Sequence, residues 1–319
     1  KLVIDIFNAH NTLHSEAMWE IYRAAMRKEF NRIFGCATFD TIIQFEGYGK
    51  FWTGLLGHGT DDSNKIIYLH NNMLEEHITK YEFLAGIFKL YPSYEKLVSV
   101  SESVREENKL NLAPLTHIAE NQFIYCDNYV NVNEIKEKAK APLDSDIRRW
   151  VGRSKLFGTV GRLSPEKGHH KLITAFADVV HVNKVDVKLL IVGDGSQWSI
   201  LQQHIIELGL SERVLLAGIR SNPYPIIKAM DLFVFSSDHE GQGLAVIEAL
   251  ILNKPVISTD IPGPHSILKP GYGLLVENSV PGLVGGMTKH IKKPIEYKRF
   301  CGLEYNRNVD NMFLNSIGE

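Results

Sequence analysis

Between residues 155 and 276 six short apolar runs recur, at 155–163, 188–195, 214–220, 231–235, 254–263 and 271–276. Most of them end in a turn that carries glycine or polar residues. Runs of this length, bounded by turn residues, read as strands rather than helices. Helix-length segments separate them, as with the amphipathic stretch 172–180. Apolar strands alternating with helices argue for a parallel, doubly wound α/β sheet covered on both faces. Ligands in such sheets bind at the carboxyl ends of the strands. Arg162, Gly193, Gly218 and Glu240 each follow one of these runs, so all four fall on that edge.

The stretch 236–249 carries the most pointed chemistry. Glu240 and Glu248 stand eight residues apart, with Gly241, Gln242 and Gly243 between them. The strand at 231–235 comes before, and an apolar run with no helix breaker follows. The order is strand, polar turn, glycines, helix. Glu240 would lie in the loop and Glu248 in the second turn of the helix. A helix N-terminus offers free N–H groups and the positive end of a dipole, which suits phosphate. Glycines let the backbone approach a ligand closely.

This segment resembles the E-x7-E signature of the retaining family 4, or group 1, glycosyltransferases of the GT-B fold. The resemblance implies that Glu240 contacts a donor sugar and Glu248 the ribose hydroxyls of a nucleotide. Gly161-Arg162-Leu163, with Lys167 and Gly168 after it, is similar to the family's G-R-L…K-G element. Arg162 and Lys167 would then clamp a diphosphate, where fixed cations lower the barrier to departure of a charged leaving group. The family's fold also implies donor contacts from Gly161, Gly193, Gly241, Gln242, Gly243 and Leu244. Main-chain atoms of Gly218, Ile219 and Arg220 would read the base. Gln242 departs from the family, which often has an aromatic there. The resemblance is strongest over residues 155–280 and looser over 39–133.

The amino half carries strands at 39–45, 65–72, 97–101 and 123–130. His70 ends the second of them. It resembles a family position that faces the donor sugar or the acceptor, while a strand-end His is also a common polar cap. No Gly-Gly pair occurs in this half, the chain opens on Lys1 without Met, and about 130 residues is short for such a domain. The reading therefore expects an incomplete amino domain.

A chain of 319 residues suits two domains. The expected division is 1–133 for an acceptor-side Rossmann-like domain, 134–154 for a charged linker and 155–293 for a nucleotide-sugar domain. A final charge-rich helix beginning at Pro294 is expected, the segment 294–319 packing back on the amino domain.

Other readings fare worse. A dinucleotide fingerprint would need a third glycine at the right spacing after Gly243, and that glycine is absent. Asp144-Ser145-Asp146 does not end an apolar strand. It reads as a helix cap or solvated turn, so replacing either Asp is expected to be near silent. No His spacing suggests a metal site, and no cofactor is expected. A formal charge of −2 argues against a nucleic-acid binder. Three scattered cysteines, Cys36, Cys126 and Cys301, form no framework and suit a reducing cytoplasm. No apolar run is long enough to span a membrane.

The resemblance thus implies a retaining transfer of sugar from a nucleotide-diphosphate donor, a UDP-sugar foremost, to an acceptor hydroxyl. The acceptor would be a glycan, lipid-linked or polymer substrate of bacterial cell-envelope, capsule or teichoic-acid synthesis. The enzyme would be cytoplasmic, with room for peripheral association at the inner membrane face. Two alternatives stand beside this: a GT-B enzyme of other sugar-nucleotide chemistry, such as an epimerase, and a non-catalytic sugar-binding subunit.

Overall fold

The computed structural model describes residues 16–294 and 296–318. Residues 1–15, where the expected amino domain begins, lie outside the described residues. The chain divides into two compact units. One runs to Asn128 and resumes at Asn308; the other is Tyr129–Arg307.

The first unit holds a four-stranded, wholly parallel sheet: β1 (Thr41–Gln44), β2 (Asn64–Leu69), β3 (Lys96–Ser99) and β4 (Phe123–Tyr125), in that order. The strands match the four apolar runs of the amino half, trimmed at their polar ends. Ile67, Leu69, Leu97 and Phe123 pack with Tyr91, Tyr94 and Leu112 from the flanking segments. Ser101 caps the helix Glu102–Thr116, its hydroxyl accepting from the Val104 amide. Asn108 of that helix is fully buried. It donates to the Asn71 carbonyl at 2.9 Å and to the Ser99 hydroxyl at 3.1 Å, and it accepts from the Met73 amide at 2.9 Å. One side chain thereby fixes the loop that leaves β2 just after His70.

The second unit is a six-stranded parallel sheet: β5 (Lys155–Val160), β6 (Val187–Val192), β7 (Val214–Leu216), β8 (Leu232–Phe235), β9 (Val256–Thr259) and β10 (Leu274–Val276). Its spatial order is β10-β9-β8-β5-β6-β7. The chain builds outward from β5 through β6 to β7, crosses back to the other side of β5, and builds outward again. The order therefore reverses between β5 and β8, which is the crevice-forming switch point of an open α/β sheet.

Period-two alternation sorts the strand residues between two faces. Phe157, Leu189, Ile191, Leu232 and Val234 meet Leu172, Phe176, Leu283 and Met287 on one face. Leu156, Leu190, Val192, Phe233 and Phe235 meet Ile226, Val246, Ile247 and Leu250 on the other. Burial on both faces explains why these strands read as nearly unbroken apolar runs.

Two expectations are corrected. Residues 134–154, expected as a linker, fold as the helices Val132–Lys138 and Ser145–Val151 of the second unit. Ile135 and Ile147 are buried in its core, and the charges cover the outer faces. One or two apolar residues per short helix do not stand out against a charge-rich background. The last helix is Gly302–Ile317, not one starting at Pro294. Gly302 opens it because a Cβ there would come within 2.8 Å of Val132. Asn306 exchanges hydrogen bonds with the Val130 backbone, donating to the carbonyl at 2.6 Å and accepting from the amide at 3.3 Å. The residues from Asn308 onward group with the first unit, where Lys96 donates to the Ser316 carbonyl at 2.7 Å.

Glycine is demanded at Gly168 by both conformation and space. It has φ +62°, and a Cβ there would lie 2.1 Å from the Ser236 carbonyl oxygen. Gly218 has φ +72° with open space around it. A left-handed φ costs alanine roughly 1 kcal/mol, so Gly218→Ala should lose about that much stability. Gly168→Ala adds a clash with rigid backbone and should lose at least about 2 kcal/mol. Urea unfolding of the two variants checks the difference; equal losses would contradict the packing argument.

Candidate active site

The carboxyl ends of β5, β6 and β7 are stitched together through main chain. The Gly161 amide donates to the Val192 carbonyl at 3.0 Å and the Leu163 amide to the Asp194 carbonyl at 2.9 Å. The Gly193 amide donates to the Gly218 carbonyl at 3.0 Å. Gly193 stands at φ +141°, where a Cβ would lie 1.9 Å from the Gly161 carbonyl oxygen. Gly161, Gly193 and Gly218, expected together on one edge, are brought together there. Arg162 leaves this weave exposed, and among the described residues its guanidinium has no partner.

Across the switch point, the turn after β5 is tied to the loop after β8. The Ser236 hydroxyl donates to the Lys167 carbonyl at 3.0 Å, and the Asp238 amide to the Glu166 carbonyl at 2.8 Å. These bonds bring Lys167 and Glu240 into an ion pair across 73 residues of sequence. The Lys167 ammonium also lies 5.9 Å from the centre of the Phe235 ring. Lys171 pairs with Asp238 beside them.

Gly241, Gln242 and Gly243 lead into the helix Leu244–Ile251. Gly243 is its N-cap, at φ +90°, and no side chain caps this end. Gly263 makes room for the loop, since a Cβ there would sit 2.7 Å from the Gln242 backbone. The Gln242 side chain is buried and donates to the Tyr305 hydroxyl at 3.0 Å, so it braces the loop from behind.

Glu248 lies in the second turn of that helix, half-buried. The Tyr224 hydroxyl donates to its Oε1 at 3.1 Å. Burial raises the Glu248 carboxyl above its ordinary range, and the Tyr224 hydrogen bond opposes the rise. The Tyr224 phenol is pushed up to about 12, by burial first and then by the neighbouring carboxylate. Tyr224 was not foreseen. Nothing in its spacing links it to Glu248, although the turn at Asn222-Pro223 marks it as the start of a helix (Tyr224–Ala229).

Arg220 is placed on the expected loop but its guanidinium is engaged. It donates to the Ala217 carbonyl at 3.0 Å, to Asp144 at 3.0 Å and to Asp146 at 2.8 Å. The Asp-x-Asp reading is thereby corrected. Asp144 stands at the N-cap position of the helix Ser145–Val151 but makes no capping bond, and both carboxylates are anchors for Arg220. Ile219, between the anchor and Gly218, is 76% exposed.

His70 belongs to the first unit, at the end of β2. Its Nε2 donates to the Phe45 carbonyl at 2.5 Å, and its ring meets the Phe45 ring edge-on at 5.1 Å. A carbonyl only accepts, so Nε2 carries a proton in this contact. Among the described residues no three His, Cys, Asp or Glu side chains are grouped to hold a metal ion. No helix among them is long and apolar enough to cross a membrane.

The raised Glu248 carboxyl has a stability consequence. A carboxyl whose folded pKa exceeds its unfolded one contributes stability below the unfolded value, and that contribution is lost as pH rises through the folded value. Glu248→Gln keeps the Tyr224 hydrogen bond and escapes the loss. The variant should melt higher than the parent at pH 7, with the gap closing toward about pH 4. Thermal melts at the two pH values test this, and a lower melt at pH 7 would refute it.

The chain matches the family model described as Glycosyl transferases group 1 over residues 142–302. An uncharacterized glycosyltransferase of Methanocaldococcus jannaschii is 32% identical over 72% of this chain and 57% of its own length. The lipopolysaccharide core biosynthesis glycosyltransferase LpsE of Rhizobium meliloti is 36% identical over 47% of this chain and 42% of its own. The chain thus spans about half the length of these curated relatives. Among solved structures, Anabaena HepE in complex with UDP aligns over 93% of this chain and 82% of its own, with TM-score 0.69 and 19% identity. Staphylococcus aureus TarM, solved with Fondaparinux, alpha-GlcNAc-glycerol and UDP, aligns over 93% and 59%, with TM-score 0.67 and 20% identity. The likeness gives the fold as GT-B, built on two Rossmann-like units. With more than half of its sequence under the family model, the chain belongs to the group 1 glycosyl transferases.

Proposed function

We propose that the protein is a retaining glycosyltransferase that moves a sugar from a UDP-sugar to an acceptor hydroxyl in bacterial cell-envelope glycan synthesis. One observation carries the reading: where the strand order reverses, the cation Lys167 pairs with the carboxylate Glu240, and Arg162 and an uncapped helix end at Gly243 lie on the turns that follow the same two strands. Arg162 and Lys167 hold the diphosphate, helped by the amides near Gly243 and Leu244. Glu248 receives the ribose hydroxyls, oriented by Tyr224. Main-chain atoms of Gly218 and Ile219 read the base, with Arg220 anchoring their loop. Gly161, Gly193 and Gly241 keep the backbone low enough for the donor to sit close.

In the reaction the bond from the sugar's anomeric carbon to the diphosphate oxygen breaks, and its electrons stay with that oxygen. Fixed cations aimed at this oxygen stabilise the developing charge. The acceptor oxygen bonds to the anomeric carbon, and its proton passes to the departing diphosphate oxygen. Glu240 orients the sugar hydroxyls. We assign the acceptor side to the first unit, with His70 as a candidate acceptor-facing group through its Nδ1. The relatives support the substrate class: one is a lipopolysaccharide core enzyme, and a Campylobacter jejuni relative acts on a diphospho-undecaprenol-linked sugar. Such acceptors would bring the protein to the cytoplasmic face of a membrane. The neutralising charges are all side chains or helix amides, so we also propose transfer without a metal.

A thermal-shift screen against UDP-, GDP-, ADP- and CDP-sugars tests the donor class. At 100 times its dissociation constant the right ligand stabilises by about 2.7 kcal/mol, and UDP-sugars should give the largest shift. Arg162→Ala and Lys167→Ala should each slow transfer by roughly 10²-fold while remaining folded. Near-parental turnover in both would sink the diphosphate assignment. Excess EDTA should leave turnover nearly unchanged; loss restored by Mg²⁺ or Mn²⁺ would overturn the metal-free mechanism.

A further inference from the structure

We propose that Glu240 is a specificity-determining residue that separates the sugar-bearing donor from the spent nucleoside diphosphate by competing with the diphosphate for Lys167. The inference rests on the proposed roles of Lys167 and Glu240, and goes beyond them. Its starting point is the ion pair itself. Both side chains are about one-fifth exposed, at 22% and 21%, so the pair is screened only in part. Their backbones are held by the Ser236–Lys167 and Asp238–Glu166 hydrogen bonds and by Gly168 pressed on the Ser236 carbonyl. These contacts tie the two loops together up to Asp238, so a change of partner needs only the side chains to move. The neighbouring anion, Asp238, is taken up by Lys171. Among the described residues Arg162 has no counter-charge, whereas the charge of Lys167 is already answered by Glu240.

A diphosphate entering this site must take Lys167 from Glu240. The displaced carboxylate then needs donors, because a partly buried charge left without a partner is costly. A donor sugar supplies them from its hydroxyls. A free nucleoside diphosphate has donors only on its ribose, which the proposed reading gives to Glu248, and on its base; beside Glu240 it adds like charge. Glu240 thus works with the diphosphate when a sugar is attached and against it once the sugar has gone. After transfer, its return to Lys167 favours release of the product.

Calorimetry with UDP and UDP-glucose, at one fixed ionic strength, tests this on the parent, Glu240→Gln and Glu240→Ala. Both variants should bind UDP more tightly than the parent, by roughly fivefold, the upper range for a partly exposed ion pair. The preference for UDP-glucose over UDP should fall by at least as much. Unchanged or weaker UDP binding in both variants would overturn the inference. Lys167→Met provides the separating arm. It should bind UDP more weakly than the parent. If it binds UDP as the parent does, or if UDP does not bind the parent at all, the assignment of Lys167 to the diphosphate fails and the inference falls with it.

Discussion

β5 and β8 lie side by side while the helices that follow them leave on opposite faces of the sheet. The helix after β5, His169–Asn183, packs through Leu172 and Phe176 on one core. The helix after β8, Leu244–Ile251, packs through Val246, Ile247 and Leu250 on the other. Where neighbouring strands send their helices to opposite faces, an open α/β sheet forms a crevice at the strand ends. Lys167, Glu240 and Glu248 are each carried by a turn that follows β5 or β8, or by the helix after it. The side chains supply chemistry, but the handedness and order of the crossovers decide where they meet.

Within that frame the two carboxylates have different surroundings. Glu240 sits on a loop against an ammonium and keeps a full counter-charge. Glu248 sits on a helix among apolar residues and keeps one phenolic donor. A carboxylate with a mobile cation can exchange partners during a reaction cycle. One held by a neutral hydroxyl in a half-buried setting is better suited to a fixed hydrogen-bonding task. Their different proposed duties follow from these environments, not from the residue type they share.

The sheet of the second unit was legible because its signals are local. Apolar runs closed by turns, and strand ends marked by Arg162, Gly193 and Gly218, can be read within a few residues. The placement of Glu248 in a second helical turn was equally a matter of counting. What stayed hidden were side-chain partnerships between distant positions. Lys167 with Glu240, Tyr224 with Glu248, and Arg220 with Asp144 and Asp146 leave no spacing to find. The helices Val132–Lys138 and Ser145–Val151 were hidden for another reason. Their few inward residues, such as Ile135 and Ile147, are outnumbered by lysine, glutamate and arginine. The last helix starts at Gly302, where close packing on Val132 leaves no room for a Cβ, and composition does not show that start.

The pairing of β5 with β8 also has a kinetic side. Leu156 and Asp231 close it, with the Asp231 amide donating to the Leu156 carbonyl at 2.7 Å and an Asp231 carboxylate oxygen accepting from the Leu156 amide at 2.7 Å, across a separation of 75 residues. β6 and β7 can zip onto β5 by short crossovers, whereas β8 must wait for the whole intervening chain to be gathered in. Contacts of high sequence separation are made against loop-closure entropy and come late in assembly. During synthesis the chain therefore carries a half-sheet with β5 as an open edge until β8 has emerged and docked. The crevice comes into being only once β8 has docked, and no fragment ending before β8 contains it.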